Sequence, residues 1–197
     1  MPRWTLVIPV KPSAVGKSRL ARTPRVARAI ALDTIAAAVG TDDVDVVVVT
    51  ADSVVADAAA QLGAAVVAET AAAGLGAAIH AGLATVPLGT ARAVLLGDLP
   101  ALLPDELGSV LRAAATHPRA FVPDAEGTGS TLVTAAPGWA LIQAFGADSA
   151  RRHRKAGLIE LDVPPGSTLR RDVDLAEHLD ALGATLGPRT RAALSAA

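Results

Sequence analysis

The chain has 197 residues, 51% of them hydrophobic and 2% aromatic, and its 18 basic and 19 acidic side chains leave a formal net charge of -1. That length and apolar content suit one α/β domain with a sizeable core, and the near-neutral balance with so few stacking rings excludes the footprint of a nucleic-acid binder. The lack of cysteine removes disulfides, thiolate metal sites and a cysteine nucleophile together, so any metal must be held through oxygen or histidine, which favours magnesium (Mg2+) on carboxylates.

The first apolar run predicts a strand over 5–10, leading into a loop that ends in Gly16, Lys17, Ser18 and Arg19. This is a place to hold phosphate, but it is not a P-loop: the glycine that pattern needs five residues before Gly16 is Lys11. Pro24 is a second objection, since a P-loop feeds its Lys-Ser directly into a long helix. Lys11, Lys17 and Arg19 are therefore read as gripping a triphosphate by charge and forked hydrogen bonding, the competing reading being a basic surface loop. Lysine recurs only at 155, other basic positions being Arg, which sets Lys11 and Lys17 apart from surface filler.

Beyond the loop, the pattern predicts helices over 26–39, 53–62, 77–84 and 105–115, alternating with strands over 44–50, 65–68, 93–96 and 120–123. Such βαβ spacing makes a mostly parallel, Rossmann-like sheet. The runs DVVVVT and AVLLGD are apolar without alternation, so helices are expected on both faces. The Ala-rich tract 71–88 is interrupted by glycines, His80 and Pro87, and no cationic segment followed by a long apolar one opens the chain, so a cytoplasmic protein with no membrane partner is expected. Regularity loosens through 124–129 and the Pro137-Gly138 turn, where substrate-specific structure is expected. A helix opening around Ser149, a strand near 158–163, a helix over 175–182 and a short helix after Pro188 complete one domain spanning 1–197.

In an open parallel sheet, ligands bind beyond the carboxyl ends of the strands. Asp98 follows the buried strand there, and Asp172 precedes the last long helix, so together they form a candidate two-carboxylate metal site. Asp174, three residues before Glu177, is read instead as a helix cap. The segment from Asp124 to Thr131 carries glycines and hydroxyls suited to close approach of backbone to an anion. Gly146 and Ser149 lead a helix bearing Arg151, Arg152 and His153, where helix dipole and cationic charge are expected to act together, the plainer reading of Ser149 being an N-cap. Lys155 and Arg154 are read as solvated, and His80, His117 and His178 show no metal spacing. No serine lies in a nucleophile elbow, so hydrolase chemistry has no support.

In order, IPVK with GKSRL, LGDLPAL, GTGST, FGADSARRH and DVD before a helix resemble the phosphoenolpyruvate / 2-phospho-L-lactate guanylyltransferase family of coenzyme F-420 biosynthesis, over nearly the whole chain. The resemblance implies a nucleotide-diphospho-sugar transferase-like fold and transfer of GMP from GTP to phosphoenolpyruvate, 2-phospho-L-lactate or 3-phosphoglycerate. It implies metal binding by Asp98 and Asp172, triphosphate contacts from Lys11, Lys17 and Arg19, and acceptor-phosphate binding by Ser130, Gly146 and Ser149. It leaves open a homodimer and a hand-over of product to the downstream transferase. Three positions depart from the family pattern: Ser130 replaces threonine, Gly74-Leu75-Gly76 replaces an asparagine-bearing turn that helps read the base, and Leu175-Ala176 replaces Thr-Pro. The Arg-, Ala- and Gly-rich composition favours phosphoenolpyruvate among the acceptors. The rival expectations are a nucleotidyltransferase for another phosphorylated acceptor and a non-catalytic nucleotide-binding regulator.

Overall fold

The computed structural model describes residues 2–10, 23–69 and 74–196. Lys11, Lys17 and Arg19 lie outside them. Strand β1 (Trp4–Val10) and helix α1 (Pro24–Val39) come first, with Pro24 in the first helical turn, where its missing N–H costs nothing. Strand β2 (Val44–Thr50), helix α2 (Ser53–Leu62) and strand β3 (Ala65–Ala68) have the expected bounds. Asp52 caps α2 by accepting from the amides of Val54 and Val55, and Gly63 ends it in a left-handed conformation. Helix α3 (Leu75–Ala84) starts two residues earlier than its apolar pattern suggests, because Gly74 at φ 88° turns the chain into it.

Strand β4 (Ala91–Leu95), helix α4 (Pro104–Ala114) and strand β5 (Arg119–Pro123) follow. Strand β6 (Ser130–Ala135) was not expected from the sequence. The remaining elements are α5 (Ser149–Lys155), the two-residue β7 (Ile159–Glu160), α6 (Ala176–Leu182) and α7 (Pro188–Ser195). Among the described residues, seven strands form one sheet in the order β3-β2-β1-β4-β6-β5-β7. Of these described strands, only β6 runs antiparallel to its neighbours, β4 and β5. Its start therefore lies at the same edge of the sheet as the ends of β4 and β5.

Both faces of the sheet are covered, as the unbroken apolar runs require. Leu6, Ile8, Val46, Val48, Ala93 and Leu95 pack with α1, α2 and α4 on one side, while Val7, Val47, Val49 and Val94 pack with α3 on the other. A further cluster joins Val26 and Ile30 of α1 to Leu179 and Leu182 of α6, Ala193 of α7, and Val173. No helix among the described residues is long and apolar enough to cross a membrane.

Helix α3 lies so close to the strands that a Cβ on Gly82 would come within 2.4 Å of a Val7 methyl and 2.8 Å of a Val49 methyl. In a loosely packed helix, Gly→Ala would stabilise by about 1 kcal/mol. Overpacking against two buried β-branched side chains costs about 1–3 kcal/mol. Gly82→Ala is expected to lower the thermal midpoint, as measured by circular dichroism; an increase would show that α3 can retreat from the sheet.

Candidate active site

The carboxylates of Asp98, Asp172 and Asp174 converge beyond the carboxyl end of β4, with one oxygen from each lying within 4.8 Å of the others. Their meeting follows from backbone geometry. The Val173 amide donates to the Asp98 carbonyl at 2.9 Å, and the Val173 side chain is fully buried. With Val173 fixed inward between them, Asp172 and Asp174 both face the crevice. The Asp98 turn is held from below, where the Leu99 amide donates to Thr34 Oγ1 of α1 at 3.0 Å.

Asp174 departs from the capping role expected of it. Helix α6 begins one residue later, with Leu175 at the N-cap and no side-chain cap. The Asp174 amide donates to His178 Nδ1 at 3.3 Å, and the carboxylate lies in the cluster. The Asp174–Glu177 spacing imitates a capping box, but the helix is offset by one residue.

A second set shares Asp172, with Asp124 and Glu126 offering oxygens within the same 4.8 Å span. Asp124 also explains its glycine-rich turn. Its carboxylate accepts from the Thr128 amide at 2.9 Å and the Gly129 amide at 2.6 Å, and a Cβ on Gly129 would fall 2.2 Å from it. The anion approached by this backbone is thus the chain's own Asp124. Arg170 clasps the Asp124 carbonyl through Nε at 3.1 Å and a terminal nitrogen at 2.8 Å, and also reaches the Val163 carbonyl. Glu106 of α4 holds the preceding turn through Ser167 Oγ, the Thr168 amide and Thr168 Oγ1. Burial opposes the charge on Glu106, yet these donors together hold its carboxyl below the ordinary value.

Burial first, then the charges of Asp98, Asp174 and Asp124, push the Asp172 carboxyl up to about 8. A crowd of hard oxygen donors that cannot all ionise without a counter-charge fits a divalent cation.

Ser130 and the Gly146–Ser149 segment come from two pieces of chain, and the structure links them. Ser130, the first residue of β6, is buried and lies 2.9 Å from His153 Nδ1. Gly146 takes φ 106°, and its carbonyl accepts from the Ser149 amide at 3.1 Å. Ser149 is buried and is the first helical residue of α5, so it is not the N-cap; Asp148 occupies that position at φ 53°. The Ala150 amide donates to the Thr128 carbonyl at 3.0 Å, joining α5 to the turn before β6. His153 does not add to the cationic charge of α5: it is fully buried, and desolvation with the nearby charge of Arg152 lowers its pKa to about 4. Arg154 is not simply solvated either, since it pairs with Glu160 at 2.5 Å and lies over the Phe121 ring.

A model of the MobA-like NTP transferase domain matches residues 18–161. The phosphoenolpyruvate guanylyltransferase of Streptomyces scabiei is 48% identical over 97% of this chain and 95% of its own. The chain belongs to the phosphoenolpyruvate guanylyltransferase family. The fold of this guanylyltransferase relative is the α/β nucleotidyltransferase fold: a Desulfovibrio desulfuricans protein described as a nucleotide-diphospho-sugar transferase superposes with a TM-score of 0.72 at 18% identity, covering 100% of this chain and 95% of that one. A Mycobacterium tuberculosis protein solved as a manganese complex superposes with a TM-score of 0.59 at 20% identity, covering 92% and 97%.

Sequence reasoning brought Asp98 and Asp172 together but missed the membership of Asp174 and the proximity of Glu126. The signal for Asp174 was its two-residue spacing from Asp172 around an apolar residue. Because the fold raises the pKa of Asp172 above its ordinary value, it favours the neutral form, and the stability this contributes is lost as pH rises through about 8. In chelator-treated protein at pH 8, Asp172→Asn is therefore expected to raise the thermal midpoint by about 5 °C. Magnesium or manganese should raise the midpoint of the parent at that pH and leave the variant unmoved. A midpoint lowered by Asp172→Asn without metal would mean the carboxylate is held by donors, not crowded by charges.

Proposed function

We propose that the protein transfers GMP from GTP to phosphoenolpyruvate, giving enolpyruvyl-diphospho-guanosine and pyrophosphate, as a soluble cytoplasmic step of coenzyme F-420 biosynthesis. The observation that carries this reading is the 48% identity to a phosphoenolpyruvate guanylyltransferase over nearly the full length of both chains. The carboxylate cluster at the carboxyl edge of the sheet supports it, since that is where a phosphoryl-transfer site belongs in an open α/β sheet.

The acceptor is a phosphate monoester with a second pKa of about 6, so it is already largely a dianion at neutral pH and needs no general base. One of its phosphate oxygens forms a bond to the α-phosphorus of GTP, the bond from that phosphorus to the bridging oxygen breaks, and pyrophosphate leaves with the electron pair. The chain must hold two mutually repelling anions in line and stabilise the leaving group. Asp98, Asp172 and Asp174 would hold Mg2+, which when bound screens the phosphate charges. Lys11, Lys17 and Arg19 would grip the triphosphate, with Lys17 and Arg19 stabilising pyrophosphate as it departs. Ser130, the Gly146 amide and Ser149 would bind the acceptor phosphate.

Incubation with GTP, magnesium and each of phosphoenolpyruvate, 2-phospho-L-lactate and 3-phosphoglycerate tests the reading. Pyrophosphate release is expected to be fastest with phosphoenolpyruvate, with the adduct identified by mass. Dominance of another adduct at equal concentrations would overturn the substrate while keeping the reaction class; nucleotide binding without pyrophosphate release would overturn both. Asp98→Asn and Asp172→Asn are each expected to lower kcat at least about 100-fold, because an amide keeps the shape but loses the anionic ligand a hard cation requires. Lys17→Ala is expected to raise the KM for GTP far more than that for the acceptor, and the reverse pattern would reassign it.

A further inference from the structure

One buried side chain, carried by α5, joins the start of β6 to the segment that leads into Gly146 and Ser149. His153 sits one helical turn after Ser149 on α5, and its ring is fully buried. Nδ1 lies 2.9 Å from Ser130 Oγ, and Nε2 lies 2.9 Å from the backbone nitrogen of Ala144, two residues before Gly146. Phe121 and Phe145 flank the ring, with centroids 5.5 Å and 5.4 Å away.

The direction of these bonds follows from what each partner can do. A backbone amide only donates, so Nε2 must present a lone pair to Ala144. The lowered pKa keeps the ring neutral at physiological pH, so its single proton is on Nδ1. Nδ1–H then donates to Ser130 Oγ, which fills an acceptor position on the hydroxyl and leaves its proton to be donated elsewhere. The opposite tautomer would make Ser130 spend its proton on the ring. A phosphate dianion accepts hydrogen bonds and donates none, so this tautomer lets Ser130 serve an anion.

Resting on the acceptor site proposed above, we infer that His153 is a positioning residue: it holds the Ser130 hydroxyl as a hydrogen-bond donor toward the acceptor phosphate and ties the backbone at Ala144, just before Gly146, to α5. It touches no reacting atom and moves no proton.

Three substitutions separate the two bonds from the packing. His153→Asn keeps a donor near the place of Nδ1, His153→Gln keeps an acceptor near the place of Nε2, and His153→Phe keeps a ring but neither bond. His153→Phe and His153→Gln are expected to raise the KM for phosphoenolpyruvate about tenfold, with the KM for GTP within about twofold of the parent and His153→Asn least affected. Adding Ser130→Ala to His153→Phe should cause little further loss, because both act through one bond. Equal rises for both substrates, fully additive effects, or an unchanged acceptor KM in folded variants would overturn the inference.

Imidazole 15N spectra of the resting protein supply a readout independent of turnover, His153 being assigned by the signal lost in His153→Gln. At pH 7 the expected state is Nδ1 protonated and Nε2 bare; an Nε2–H tautomer or an imidazolium would overturn the assignment. If another acid of the panel supports turnover, the proposed substrate fails and the KM comparison is made with that acid. If the expected tautomer is found but no acid supports turnover, both the proposed function and this role fall.

Discussion

Repulsion among carboxylates crowded about Asp172 is the constraint around which this edge of the molecule is arranged. At an effective dielectric of about 20, two charges less than 5 Å apart repel by roughly 3 kcal/mol, so such a cluster is tolerable only if the fold forces it together or a cation relieves it. The fold does the forcing with groups that carry no charge. The Val173 side chain is buried in the cluster between α1 and the C-terminal helices, and its amide is tied to the Asp98 carbonyl. Packing energy on one face of the segment thus holds Asp172 and Asp174 against their mutual repulsion on the other.

The rest of the crevice is braced in the same indirect way. Glu106 gathers the turn at 167–168, the Thr131 hydroxyl donates to the Leu169 carbonyl at 2.7 Å, and Arg170 clasps the Asp124 carbonyl. Each anchor joins the segment approaching Asp172 to a different element, namely α4, β6 and the end of β5. Asp124 in turn organises the turn that delivers Ser130 to the start of β6. The candidate metal and acceptor groups are therefore coupled through backbone, and Asp124 is where the two regions meet.

Much of this was legible from residue order, and what was not has physical causes. The runs VDVVVVT and AVVA marked β2 and β3 because each is β-branched, short and bounded by turn residues. Asp98 was legible because a carboxylate right after a buried parallel strand has few places to point. Strand β6 was hidden: STLVTA is buried throughout, so it lacks the alternation that reveals a strand, and it follows a glycine-rich turn that reads as irregular. His153 was hidden by its neighbours, since in RRHRK a histidine reads as one more surface cation, and only the register of α5 turns it inward. Asp174 was misread because the spacing of a capping box is shared by a helix that starts one residue later. Local spacing found the groups that act through local geometry, while those whose role depends on register or on strand order required the fold.

Strand order also bears on the biogenesis of the chain. β1, made before the other described strands, is an interior strand that pairs with β2 on one side and β4 on the other. During synthesis β2 emerges soon after it, but residues 91–95 emerge only when most of the first half of the chain is complete. Until then β1 presents an unpaired, valine- and isoleucine-rich edge, which is a template for wrong partners. Closing that gap requires one of the longest loop closures in the sheet, and such non-local pairings are slow to form. The β5–β6 hairpin, by contrast, is joined by a short turn that Asp124 organises, so it can assemble locally and offer β4 a formed edge to dock against. The seam between β1 and β4 is also the one beneath Asp98, so the crevice is completed only once that non-local pairing has formed.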